Sequence, residues 1–317
     1  MKKHLAIFLA VTLLLLTLGG CSKKPEQGGE VGEDPKTEVG DQTEGGVVPD
    51  VNGETEAEVD IEDAEGSETE AETESIPEIP LVEYGLWIGD VRVTSRNQTD
   101  VLGDGTVIYE GNGAEGTLTL RNARVQTIHE FVEEMDDSTG ICSKIPHLTL
   151  VLEGDNRIGG GTVAPLAGFS AYDLTITGDG SLSTSGGKFG LVAEDVTLLS
   201  GTVTALAIEC AEASMNVGFA AFGNLSVLDG EINGIATMAM SDMSYGVMVF
   251  EELYFESGLI EAEHIRGGEG FPAIFFSKIR YAEGYWPLIR AGMSVSSNKT
   301  VDDYATYTYT DGYISIR

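Results

Sequence analysis

The sequence is short of most of the residues that carry recognisable chemistry. It has 4 histidines in 317 residues; His4 lies in the N-terminal apolar segment, which leaves His129, His147 and His264. There is no HExxH pair, no nucleophile elbow, no Walker-type phosphate loop and no paired-cysteine zinc signature. Three cysteines are too few for a disulfide scaffold. One of them, Cys21, has another use, described below. Nothing local places Cys142 and Cys210 together, and a small buried hydrophobe is the ordinary state of such residues. Positive charge is also scarce: 18 Lys and Arg stand against 52 Asp and Glu, a formal charge of −34. That balance leaves no electrostatic footprint for nucleic acid or anionic lipid headgroups. It also disfavours polyanionic substrates such as pectin, unless a bound cation bridges them.

Long apolar runs are missing too, with one exception. Leu5 to Leu18 is apolar apart from Thr12 and Thr17, follows Met1-Lys2-Lys3, and ends in Leu18-Gly19-Gly20-Cys21. The run is shorter than the ~20 residues of a membrane span and closes on small residues, as a signal peptide does. Residues 1–20 are therefore expected to be an export signal. The closing tetrapeptide resembles the lipobox of bacterial lipoproteins. That resemblance implies a lipid on Cys21 and attachment to the cell membrane on its extracellular face.

Residues 21–80 form the second part. The stretch 22–80 has 20 acids, three lysines and almost no large hydrophobes. Such a segment cannot bury enough apolar area to offset its chain entropy, so a disordered acidic tether is expected, extended by its own charge. Fully stretched it reaches about 200 Å.

Residues 81–317, with 32 acids against 13 basic residues, are the only part able to bury a core. A unit recurs there: Gly, apolar, any, small or apolar, any, then Asp, Asn or Glu, then apolar-polar-apolar. It reads Gly168-Phe169-Ser170-Ala171-Tyr172-Asp173-Leu174-Thr175-Ile176 and returns at Gly190, Gly218 and Gly246. Weaker copies start at Gly140 and Ala273, so the spacings are 28, 22, 28, 28 and 27 residues. A period of this size signals a repeat architecture, and the alternation inside each unit is strand-like. A glycine corner and another short strand follow each unit, as at Gly178, Gly201, Gly230 and Gly258. The expected fold is all-β: a parallel β-solenoid, of the right-handed β-helix type, whose coils bury their apolar residues against one another. An antiparallel sandwich has no reason to repeat the same corner residues in the same phase.

Two flanks differ from the coils. Residues 86–125 read as strands with glycine turns leading into the first coil. In the next stretch Ile128, Phe131, Val132 and Met135 fall at helical spacing, so a short amphipathic helix is expected over 127–136, capping or lying along the solenoid. The last stretch, 304–317, looks like closing strands.

The opening strings Leu86-Trp87-Ile88-Gly89, Val93-Thr94-Ser95, Asp100-Val101-Leu102-Gly103-Asp104-Gly105-Thr106 and Thr117-Leu118-Thr119-Leu120, with the coil 173–182, resemble a largely uncharacterised family of repeat-containing secreted proteins of anaerobic Gram-positive bacteria. The resemblance covers roughly 84–317 and implies a β-helix without implying an activity. More distantly the chain is similar to pectate-lyase-like, carbohydrate-binding β-helices. Their repeated Asp-Asp-Gly calcium turns are absent from these coils.

No catalytic, metal or cofactor site is expected from the motifs. Asp155, Asp179 and Asp229 sit near coil corners, where turn-forming Asp is common. The Gly-rich stretch 154–162 opens no predicted helix, so it is a poor phosphate cradle. A lyase needs a basic residue beside clustered acids. Arg157, Lys188, Arg266, Lys278, Arg280 and Arg290 show no such cluster along the chain. The informative feature is a column. With Phe169, Leu191, Phe219 and Val247 inside, Ser170, Val192, Ala220 and Met248 point out, followed by Tyr172, Glu194, Phe222 and Phe250. An outward apolar, aromatic stripe marks an interaction surface unless another part of the chain covers it. Residues Tyr172, Phe222, Met248 and Phe250 are the candidate ligand contacts. The expected function is a surface lipoprotein with a non-catalytic, carbohydrate-binding β-helix. A polysaccharide lyase or glycoside hydrolase on the same fold, or a structural and adhesive wall protein, are the alternatives.

Overall fold

A computed structural model of the chain describes residues 80–130, 138–159, 165–208, 215–237, 243–265, 272–301 and 312–317. Among them there is no α-helix, only a 3-10 turn at Val295–Ser297. The fold is a parallel β-solenoid with five coils that carry a strand on each of three faces. The first face stacks Thr139–Ser143, Ala167–Ser170, Phe189–Ala193, Met215–Ala221 and the start of Met243–Phe255. The second stacks Glu115–Arg121, His147–Glu153, Asp173–Gly178, Val196–Leu198, Leu225–Val227 and the end of Met243–Phe255. The third runs from Arg124–Val125 through Asp155–Ile158, Ser181–Gly186, Thr202–Ala207 and Glu231–Thr237 to Leu259–Ile265. The strand Ile274–Tyr281 continues both the first and second faces.

The sequence repeat is the structural repeat. Ile141, Phe169, Leu191, Phe219, Val247 and Ile274 pair one below another in a single register. All are fully buried. Leu148, Leu174, Val196, Leu225 and Leu253 form a second inward row, and Leu182, Val203, Ile232 and Ile260 a third. Each such side chain gains about 1.5–3 kcal/mol by leaving water, and only its neighbours in adjacent coils make that possible. Asn156 occupies the inward position below Leu182. Its side chain is satisfied by backbone groups: it accepts from Ala123 N at 2.8 Å and donates to Ser181 O at 3.1 Å.

Two glycine columns serve two purposes. Gly178, Gly201, Gly230 and Gly258 have φ of 114°, 90°, 93° and 102° and turn the chain from the second face to the third. These are corners, as the sequence suggests. The glycines that open each repeat are not corners. A methyl group at Gly218 would collide with the backbone nitrogen of Ile235, and one at Gly246 with that of Glu263. There the first face crosses the third so closely that no side chain fits.

Antiparallel strands close the ends. Glu83–Ile88 lies on Thr139–Ser143 and pairs with Val91–Thr94, while Val107–Gly111 pairs with Glu115–Arg121. Tyr313–Ile316 covers Leu259–Ile265, followed by Ile289–Gly292 and Asn298–Val301. Covering sheet edges in this way prevents pairing with other chains. The opening strands and the last closing strand thus match the sequence reading. The helix expected over 127–136 does not hold at its start. His129 exchanges backbone hydrogen bonds of 2.7 and 3.0 Å with Thr139 in an antiparallel bridge, which requires extended backbone. Residues 131–137 lie outside the described residues, as do the signal segment, nearly all of the tether and Cys210.

The outer side of the first face as candidate binding site

The first face carries one outward row in register from end to end: Trp87, Cys142, Ser170, Val192, Ala220, Met248 and Phe275. Two residues further along each strand come Tyr172, Glu194, Phe222 and Phe250. Backbone hydrogen bonds such as Glu194 N to Tyr172 O, 3.1 Å, tie these neighbouring coils together. The aromatic column read from the sequence therefore exists.

Its exposure is uneven. Tyr172 is 36 % exposed and Phe250 39 %, with Phe222 half-buried between its neighbours. Met248, expected on the platform, is 2 % exposed and is not available to a ligand. The reason is a second apolar cluster on the outer side of this face, separate from the interior core. It joins Met248 to Phe189, Met215, Val217, Ala220 and Tyr245. Strict alternation would put Phe189 inside with Leu191, and Val217 inside with Phe219. The glycine between each pair, pressed onto the third face, breaks the alternation and delivers the preceding side chain outward. Segments 209–214 and 238–242 lie outside the described residues.

The rings brace one another along the stack. Phe189 meets Phe222 edge-on at 5.9 Å, Phe222 meets Phe250 at 5.5 Å, and Phe250 meets Phe275 at 6.1 Å. Such pairs are worth about 0.5–1.5 kcal/mol each beyond their burial. Burial first, and then the charges of Cys142 and Glu194, raise the Tyr172 phenol above its ordinary range, so it stays neutral. Cys142 is a free buried thiol pushed up to about 11, chiefly by burial, and is therefore unreactive.

Beside the column runs the acidic position of the repeat. His147, Asp173, Asp195, Asn224, Glu252 and Lys278 occupy it in successive coils. Asp195 accepts from Asn224 N at 2.6 Å, and the Asn224 side-chain oxygen accepts from Glu252 N at 3.3 Å. Asp195 and Asn224 thus each cap the backbone of the next coil. Further along, Lys278 and Arg280 both bind the Glu252 carboxylate, and Arg280 lies 4.2 Å from the centre of the Tyr254 ring. Hydrogen bonds from Lys278 and then Arg280 hold Glu252 below the usual glutamate range. Reading the sequence linearly missed this cluster. The repeat contained the signal, since Glu252 and Lys278 hold one position in adjacent coils. Its acid, Glu252, is paired with both bases.

The other residues weighed from sequence are apart. Asp179 and Asp229 share a corner position but are separated by the intervening coil, where Ser200 binds the Gly178 backbone. Asp155 accepts from Ser181 Oγ at 2.9 Å. Among the described residues no group of three or more His, Cys, Asp and Glu could hold a metal ion. Comparison of the chain with family models, with curated proteins and with solved structures finds no match.

Proposed function

We propose that this chain is an exported lipoprotein, held at the outer face of the cell membrane through Cys21. In this reading its β-solenoid binds a polysaccharide, without transforming it, along the outer side of the first face. The resemblance of its opening segment to secreted β-helix proteins belongs to the same proposal. One observation carries the binding role. The exposed rings of Tyr172 and Phe250 sit in a single column with Phe222 on an otherwise regular sheet. Exposed aromatic groups flanked by polar ones are the usual contact for a sugar ring, and a solenoid repeats them at the spacing of its coils, about 4.8 Å. The matching outward row of the second face is hydroxylic instead, with Thr117, Thr149, Thr175, Thr197 and Ser226 in succession, and needs no partner but water.

Two experiments test the two halves. A glycan array probed with the full chain should give hits that disappear in Phe250→Ser; hits indifferent to that substitution contradict the assignment of the face. Membrane fractionation should find the protein released by Cys21→Ser, because lipid attachment requires the thiol. A Ser variant that resists a high-salt wash contradicts the anchor.

A further inference from the structure

The first face has a charge character as well as an apolar one, and together they narrow the ligand. Glu194 stands in the column between Tyr172 and Phe222, and Glu251 is exposed next to Phe250. Residues 81–317 carry 32 acids against 13 basic residues, so the surrounding field repels anions and attracts cations. Aromatic faces attract cations too. The chain already pairs its rings this way. Arg92 and Lys144 lie 5.2 and 5.5 Å from the Trp87 ring at the head of the first face. The Lys188 ammonium lies 5.3 Å from Phe189, the ring against which Phe222 packs. Among the described residues, Phe222 and Phe250 have ring neighbours but no lysine or arginine over them.

We propose that the polymer bound on the first face bears protonated amines, as a chain of glucosamine residues without N-acetyl groups does. This rests on the reading of the face as a polysaccharide site and adds the chemical class. An ammonium on a sugar ring would meet the Glu194 carboxylate while the ring's carbon face lies on Phe250 or Tyr172. A neutral sugar would use the rings alone. A uronate polymer would be repelled by the same carboxylates.

The test compares three polymers of matched length on the full chain: glucosamine, N-acetylglucosamine and galacturonate. Mildly acidic buffer keeps the amines protonated and the carboxylates ionised. The glucosamine polymer should bind about tenfold tighter than its N-acetylated form, and the galacturonate polymer should not bind. Glu194→Gln and Phe250→Ser should each weaken it by about fivefold, the worth of one cation–π or ion contact. Glu110→Gln, a distant exposed acid on the opening strands, should not. Equal binding of the N-acetylated polymer, lost in Phe250→Ser, overturns the amine assignment and leaves the polysaccharide reading standing. Glucosamine binding indifferent to both face variants is ionic capture by the acidic chain and overturns the proposal. Absence of binding by all three polymers counts against both.

Discussion

The outer sides of the first and second faces are built on the same stacked backbone, and they have been filled by opposite rules. On the second face the outward row reads Thr117, Thr149, Thr175, Thr197, Ser226 and Tyr254. Short hydroxylic, mostly β-branched side chains suit a pleated surface facing water. On the first face the corresponding row reads Cys142, Ser170, Val192, Ala220, Met248 and Phe275. The interior constrains both faces equally, since each must send an apolar residue inward at every coil. The outside is free, so its content reflects something other than folding. Hydroxyls on the second face need no further cause. Apolar and aromatic groups on the first face do, and part of that cause is a second cluster that buries Met248, Val217 and Ala220.

Substitutions can break this contrast in order of size. The interior sets the upper limit: Phe219→Ala removes a fully buried ring and should cost about 3–5 kcal/mol in denaturant unfolding. A loss under 1 kcal/mol would mean that the coils do not share the packed interior described above. Next comes the contrast itself. Met248→Ala should cost about 2–5 kcal/mol, although it points away from the interior, whereas Thr197→Ala at an equivalent outward position should stay within about 0.5 kcal/mol. Equal costs would erase the distinction between the faces.

Smaller effects sharpen it. Phe250 is 39 % exposed, so Phe250→Ser should lose about 1 kcal/mol, mainly its contacts with Phe222 and Phe275. A collapse of the melting temperature would place Phe250 in the packed cluster with Met248 and remove it from any ligand site. The last effect is one of pH. The folded state holds Glu252 below the ordinary glutamate range, so the bonds from Lys278 and Arg280 stabilise above that range. Their contribution is lost as pH falls through the lowered value, and Glu252→Gln should flatten this part of the acid titration. An unaltered acid limb would show that the two bonds carry no stability.

Much of this fold is legible from the sequence, and the reason lies in the repeat. The starts at Gly140, Gly168, Gly190, Gly218, Gly246 and Ala273 name six strands, and the structure stacks the residues that follow them in one register. Alternation within the unit then gives the inward rows. Legibility fails where alternation does. Whether Phe189 points in or out depends on how near the third face comes at Gly190, which no local pattern encodes. The burial of Met248 follows from that same crossing. The start of the expected helix fails for another reason: helical spacing does not outweigh the pairing of His129 with Thr139 at the edge of an existing sheet. The Glu252, Lys278 and Arg280 cluster is invisible along the chain and evident once the coils are aligned.

Hydrogen exchange on the full chain, with and without the glucosamine polymer, tests the central claim most directly. A ligand lying along the first face should protect separate peptides one coil apart, around 170–172, 192–194, 220–222 and 248–250, and leave the second-face strands Asp173–Gly178 and Val196–Leu198 unchanged. Protection centred on the second or third face, or no protection anywhere, would contradict the assignment of the first face as the binding surface.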